Sequence, residues 1–218
     1  LLAADLESVV YVVDDDPGAR QGVAALAQSH GARTMEFASA EAFLEAANDR
    51  MHGCMVVDVR MTGMSGLELQ QELIDHNIPL PVVVITGHGN VPMAVQAMKA
   101  GAISFLTKPC KPDMLWENIT TAMEQSRIDR SVRAHRDSAA QRLHTLSEPE
   151  RAVLEKVMEG HPNKRIAREL DIGLRTVELR RSTLMKKMEV GSLAELVQLA
   201  VLAGMPPSES LSLPGSDS

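Results

Sequence analysis

Residues 81–109, PVVVITGHGNVPMAVQAMKAGAISFLTKP, read as strand, helix and strand. Pro81–Ile85 is a short, continuous apolar run, the form expected of a strand buried on both faces. A helical pattern over 90–100 follows, and Gly101 is placed to close it. Ile103–Leu106 (ISFL) then supplies the next strand. Toward the N-terminus, Ser8–Val13 (SVVYVV) and Cys54–Asp58 (CMVVD) are of the same kind, and Ala32–Phe37 is a weaker version. Helical patterns lie over 17–30, 40–49, 65–76 and 112–126, with Gly31 as a second C-cap. Five strands alternating with helices predict a parallel sheet covered on both faces, with right-handed crossovers.

Toward the C-terminus the pattern changes. Residues 127–145 (RIDRSVRAHRDSAAQRLHT) are charged, with Ile128, Val132, His135, Ala139 and Leu143 recurring at steps of three and four. That spacing fits a helix continuous with the preceding one, and a solvated linker fits equally well. From Leu146 the signals are purely helical: 148–159, 162–170, 174–188 and 192–203, punctuated by Gly160, Gly173, Gly191 and Gly204. Ser147 and Glu150 have the spacing of a capping box. The tail from Met205, MPPSESLSLPGSDS, is Ser/Pro-rich and expected to be disordered.

Of 218 residues, 44% are hydrophobic and 23% charged, which is globular composition for one large domain or two small ones. Aromatics make up 2%, which argues against modules that stack bases on aromatic platforms. Two cysteines, Cys54 and Cys110, are too few for a disulfide framework and point to a reducing, cytoplasmic setting. No apolar run approaches the ~20 residues that span a bilayer. LLAADLES at 1–8 has no basic segment ahead of its apolar residues and does not read as a secretory signal. Because residue 1 is Leu, the sequence leaves open where the native start lies.

The net charge of −7 describes neither half. Residues 1–126 hold 7 basic and 16 acidic side chains, a net of −9, whereas 127–218 hold 15 and 13, a net of +2. Within 160–188, eight basic residues (Lys164, Arg165, Arg168, Arg175, Arg180, Arg181, Lys186, Lys187) face three acidic ones, a local +5. The asymmetry suggests two domains with different partners, although a solvated helix face would give a similar charge run.

Ligands of open α/β sheets bind beyond the carboxyl ends of the strands. The chemistry-bearing residues of the first half follow that rule. Asp14, Asp15 and Asp16 end the first strand, Asp58 the third and Thr86 the fourth, while Lys108 follows the fifth. Any one Asp at a strand end is more often a turn or helix cap. Three carboxylates, a hydroxyl and an ammonium converging on one rim is a different matter. Clustered carboxylates call for a cation, and hard oxygens suit Mg²⁺. One carboxylate can then attack a phosphoryl group while Lys108 and the cation neutralise charge on the transferred oxygens.

In the second half, 162–188 (PNKRIARELDIGLRTVELRRSTLMKKM) reads as helix, tight turn, helix. Ile166, Ala167 and Leu170 on the first face Val177, Leu184, Met185 and Met188 on the second, with Gly173 in the turn. This is the helix-turn-helix arrangement, whose second helix enters the major groove. An ordinary helical hairpin would share the pattern but gives no reason for the basic cluster.

YVVDDD at 11–16, VVDVRMTGMSG at 56–66 and the 84–109 segment together resemble a response-regulator receiver domain over residues 8–126. That resemblance implies a flavodoxin-like, doubly wound (βα)5 fold. It makes Asp58 the phosphoacceptor, served by a sensor histidine kinase. It places Mg²⁺ on Asp14, Asp15, Asp58 and the backbone carbonyl of Arg60, and it makes Thr86 and Phe105 the switch pair. Lys108 becomes the phosphate-binding lysine, with a cis Lys108–Pro109 bond. Thr62 departs from the family, which usually has proline there. Cys110 replaces a common Phe and reads as a small buried hydrophobe.

Residues 146–200 similarly resemble the four-helix LuxR-type DNA-binding domain, so the whole chain resembles the NarL/FixJ response regulators. Glu150 matches the acidic residue of that domain's opening motif, and Pro149 departs from its usual basic one. By the family pattern Glu178, Leu179 and Ser182 face base edges of double-stranded DNA. Lys164, Arg175, Thr176, Arg181 and Lys186 contact phosphates. The helix over 192–203 mediates dimerisation. The implied organisation is a receiver over 8–126, a helical or flexible linker over 127–145, a DNA-binding domain over 146–204 and a tail over 205–218.

The expected function is a phosphorylation-activated transcriptional regulator, not an enzyme. It is expected to be cytoplasmic, to have no membrane partner, to form a homodimer on phosphorylation and to engage RNA polymerase. One alternative is a constitutive DNA-binding regulator whose silent receiver serves only to dimerise. A second is a Mg²⁺-dependent phosphotransfer enzyme using Asp58, for which no lid or cap segment is visible.

Overall fold

The computed structural model describes residues 9–206. The residues at 1–8, and the 207–218 part of the tail expected to be disordered, lie outside them. The chain divides into two compact units, one through Ser131 and one from Val132.

The first unit is built on five strands: β1 (Val9–Val13), β2 (Arg33–Phe37), β3 (Gly53–Asp58), β4 (Val82–Thr86) and β5 (Ser104–Thr107). All pair in parallel, in the order β2-β1-β3-β4-β5. This is the flavodoxin-like order, whose switch point lies between β1 and β3. Helices α1 (Pro17–Ser29), α2 (Ala40–Ala46), α3 (Gly66–Asp75) and α4 (Val91–Lys99) fill the four crossovers, and α5 (Pro112–His144) follows the last strand. The period-2 geometry of the sheet splits its side chains into two cores. Val9, Tyr11, Val13, Met55, Val57, Val82 and Val84 join Phe43 and Leu69 on one side. Val10, Val12, Cys54, Val56, Val83 and Ile85 join Ala27, Leu115 and Ile119 on the other. β1, β3 and β4 are buried along their whole length, whereas β2 is a partly exposed edge, which is why its sequence signal is weaker.

The predicted elements are found, most of them within one or two residues. α2 ends at Ala46 rather than Asp49, because Ala47 is already extended. Gly31 and Gly101 follow α1 and α4 with φ of +84° each, as expected of C-caps. Residues 127–144 are helical, continuous with the helix expected over 112–126. Along this stretch Ile128 and Val132 are exposed, whereas Ala139 and Leu143 are buried.

The second unit contains the end of α5 with α6 (Glu148–Met158), α7 (Asn163–Glu169), α8 (Leu174–Lys187) and α9 (Leu193–Leu202). Its core gathers Leu143, Leu146, Val153, Leu154, Ile166, Val177, Leu184, Met188 and Leu196. Ala167, Leu170 and Met185 pack at its margin, and so does Met205, although the sequence pattern places it in the tail. Gly173 sits in the turn between α7 and α8, as the sequence predicts. The left-handed residue is Asp171 (φ +49°), while Gly173 is the extended N-cap of α8. Asp tolerates that conformation better than most residues do.

Candidate functional site

The strand register assembles the acidic rim. Val13 pairs with Val57, so Asp14 and Asp58 continue neighbouring strands at the same level. Asp58 pairs with Ile85, and Thr86 with Thr107, which brings Thr86 and Lys108 to the same sheet edge. Asp14 and Asp58 are 3% and 6% exposed, and Thr86 is fully buried. The Lys108 Nζ lies 2.6 Å from Asp14 Oδ2 and 3.0 Å from Asp58 Oδ1. Burial opposes charge on this ammonium, but the hydrogen bonds and charges of the two aspartates outweigh it and raise the Lys108 pKa. The Lys108–Pro109 peptide is cis.

The backbone shapes the rest of the site. The Arg60 N–H donates to Asp58 Oδ2 (2.6 Å), while the Arg60 side chain is exposed. Gly66, at the start of α3, lies so close to β3 that a Cβ there would fall 2.2 Å from the Asp58 carbonyl oxygen. The Thr86 hydroxyl accepts a 3.4 Å hydrogen bond from the His88 N–H. Phe105 is half-buried at the margin of the first core. Its ring lies where a Cβ on Gly89 would come within 2.8 Å.

The three consecutive aspartates separate in role. Asp14 is bridged to Asp58 through Lys108. Asp16 caps α1, accepting from the Ala19 N–H at 2.9 Å, and the backbone N–H groups of Ala19 and Gly18 hold its carboxyl below the usual range. Asp15 is exposed, and its Oδ2 accepts from the N–H (2.9 Å) and the hydroxyl (3.0 Å) of Thr62. No ion pair joins Lys108 to Asp15 among the described residues. The sequence reading gave no role to Thr62 at the rim. It also missed Arg20, whose Nη1 donates to the Asp14 carbonyl oxygen at 2.6 Å. Neither residue carries a sequence signal for such a contact: Thr62 meets Asp15 only where two loops come together, and Arg20 reaches back from the first turn of α1 to the end of β1.

On α8, Arg175, Glu178, Leu179, Ser182 and Lys186 are exposed along one face, and Leu179 is 67% exposed. Val177, Leu184 and Met188 turn into the core. Thr176 is half-buried in the first turn, and Lys164 is exposed at the start of α7. Arg181 is half-buried, and its Nη1 donates to Asn163 Oδ1. Some of the basic cluster is neutralised internally. Lys187 donates to Glu150 Oε2 (2.6 Å), and Arg165 pairs with Glu169 (2.7 Å). Glu150 also accepts from the Ser147 N–H (2.7 Å), as the capping-box spacing predicts.

A further cluster escaped the sequence reading. Glu159, His161 and Glu169 bring possible ligand atoms within 4.8 Å of one another. Lys156 lies 2.9 Å from Glu159, and Arg165 bonds Glu169, so the group is already a neutralised ion-pair network.

Comparison with known proteins agrees with both units. Residues 10–120 match the response regulator receiver domain, and residues 144–200 match the bacterial regulatory proteins of the luxR family. The chain is 45% identical over 199 residues to the transcriptional regulatory protein FixJ of Rhizobium meliloti, covering 91% of this chain and 98% of that one. It is 43% identical over 196 residues to FixJ of Bradyrhizobium diazoefficiens, covering 90% and 96%. Among solved structures, the response regulator StyR superposes with a TM-score of 0.80 at 42% identity, covering 89% of this chain and 98% of StyR. Full-length FixJ from B. japonicum gives a TM-score of 0.55 at 42% identity, covering 92% and 98%. No described helix is long and apolar enough to cross a membrane.

Proposed function

We propose, from the premise that this chain belongs to the two-component response regulators that join a receiver to a LuxR-type DNA-binding domain, that Asp58 is its phosphoacceptor and that phosphorylation gates DNA binding. The protein is a transcription factor, as its relatives are. The observation that carries the site reading is the pair of buried carboxylates, Asp14 and Asp58, joined by a single ammonium.

The donor set at this rim fits Mg²⁺. Asp14, Asp15 and Asp58 offer hard oxygens, and the Arg60 carbonyl, on the same loop, is the fourth proposed ligand. When bound, the ion supplies positive charge against the phosphoryl oxygens. The chain's own residues do the rest. The Asp58 carboxylate oxygen attacks the phosphorus of a sensor-kinase phosphohistidine, the new O–P bond forms as the P–N bond breaks, and the imidazole leaves. The Arg60 N–H orients the nucleophile. Lys108 shifts its interaction from the free carboxylate to the acyl phosphate. Thr86 donates its hydroxyl to the phosphate, and Phe105 follows into the space vacated.

The readout surface is supported by α4, where Val91 is 76% exposed and Val95 and Met98 are also exposed. An apolar face on this helix suits a dimer contact between receivers. Double-stranded DNA is then read by the exposed face of α8, with Glu178, Leu179 and Ser182 toward bases and Lys164, Arg175, Thr176, Arg181 and Lys186 toward phosphates. The receiver spans 8–126 and the DNA-binding domain 146–204. RNA polymerase is the expected downstream partner, in the cytoplasm. The buried pair of carboxylates on one ammonium at the strand ends favours this reading over a receiver kept only for constitutive dimerisation.

Incubation with acetyl phosphate and Mg²⁺, followed by intact-protein mass measurement, tests the assignment. The wild-type protein is expected to gain one phosphoryl group and Asp58→Asn none. Equal incorporation in both would overturn it.

A further inference from the structure

We propose that Thr62 is a positioning residue for Asp15, fixing that carboxylate for Mg²⁺ and tying the β3–α3 loop to the acidic rim. The inference rests on the metal reading above and adds to it a residue outside the ligand set.

Asp14 and Asp58 share Lys108, but Asp15 has no such partner among the described residues. It stands exposed after β1, next to two other aspartates. Left to itself, an exposed carboxylate among like charges swings toward water. Here it is held by one residue through two bonds, the Thr62 N–H at 2.9 Å and the Thr62 hydroxyl at 3.0 Å. Both end on Oδ2, and no hydrogen bond to Oδ1 occurs among the described residues. Two donors on one oxygen fix both rotamer and plane, and they leave the second oxygen for a cation. Ligating carboxylates are commonly oriented by such outer partners, and bonds to an ionised acceptor are the stronger kind.

The loop that presents Thr62 is built independently of Asp15. Gly63 takes φ +85°, and the Met64 N–H donates to Glu41 Oε1 at 2.8 Å. That amide bond is the main reason the Glu41 carboxyl lies below the usual range. A Cβ on residue 63 would fall 2.6 Å from the same oxygen, so a larger residue there would also push the Glu41 carboxylate aside. Beyond it, the Ser65 N–H and hydroxyl both donate to Glu68 Oε2, and the Gly66 N–H donates to the Val59 carbonyl. The segment is pinned on both sides of Thr62, so the direction of its N–H is set by the fold. Arg60, whose carbonyl belongs to the proposed ligand set, lies two residues earlier on the same loop. Proline, usual at this position in the family, could donate neither bond.

The test is calorimetric titration of the full-length protein with MgCl₂. Thr62→Val and Thr62→Ala, which remove the hydroxyl, are expected to weaken Mg²⁺ binding about tenfold. Thr62→Ser, which keeps both donors, should stay close to wild type, and thermal melting without Mg²⁺ should be unchanged in all three. If Asp15→Asn loses Mg²⁺ while Thr62→Val binds as tightly as wild type or more tightly, the role of Thr62 is wrong and the metal reading stands. An equal loss in Thr62→Ser also overturns the role. If Asp15→Asn and wild type take up Mg²⁺ alike, the metal reading fails and the inference with it.

Discussion

Asp14 and Asp58 lie buried within hydrogen-bonding reach of one ammonium, a triad that holds two of the receiver half's negative charges at one edge of the sheet. Two buried like charges are costly, and Lys108 offsets the cost without blocking the strand ends. Glu150 shows the same logic in the second unit. Its carboxyl accepts from the Lys187 ammonium and the Ser147 N–H, and these bonds, Lys187 first, hold it below the ordinary 4.5. A depressed carboxyl stabilises the fold above its unfolded-state value and loses that contribution as pH falls through the folded-state value. Glu150→Gln should therefore melt at a lower temperature than wild type at pH 7. The gap should close as pH drops below about 4.5. A constant gap across that range would show that charge on Glu150 is irrelevant. The aspartates at 14–16 were legible as a group, but their division into bridge, loop-held carboxylate and helix cap was not. That division depends on Lys108 and Thr62, which are distant in sequence.

At the scale of elements, α8 shows what charge counting in sequence can and cannot reach. The local +5 over 160–188 marks a basic surface, but not every positive charge in it is available. Lys187 is spent on Glu150 and Arg165 on Glu169, whereas Lys186 is exposed. Adjacent lysines on one helix are thus expected to behave differently. Lys186→Ala should weaken binding to all DNA sequences alike and lower the salt-dependence slope by about one. Lys187→Ala should leave that slope nearly unchanged and instead cost about 1 kcal/mol of stability. Salt-dependent binding isotherms of the two variants separate these outcomes. The same limit applies to the α7–α8 turn. A glycine in sequence marked the turn and does sit in it, but the left-handed residue is Asp171, which no glycine or proline signalled. Long buried strands such as β1, β3 and β4 were legible because burial on both faces leaves a continuous apolar run. The edge strand β2 was less so, since its side chains are partly in water.

Across the whole molecule, an acidic protein that binds DNA is resolved by having two units with opposite tasks. The receiver concentrates carboxylates at the proposed cation and phosphate site, and the C-terminal unit exposes basic residues on one helical face. Fold class followed from hydrophobic periodicity alone, whereas the functional reading needed the strand ends to converge, which the parallel register delivers. The central claim is that phosphate on Asp58 changes what the DNA-binding unit does. The most direct measurement is the affinity of the full-length protein for a DNA fragment selected from a random pool by the phosphorylated form. It should be made with and without acetyl phosphate, for wild type and Asp58→Asn. Phosphorylation should tighten wild-type binding within the range of about 5- to 150-fold that coupled sites usually show, with no response in Asp58→Asn. Equal wild-type affinity under both conditions, or an equal response in Asp58→Asn, would contradict the account.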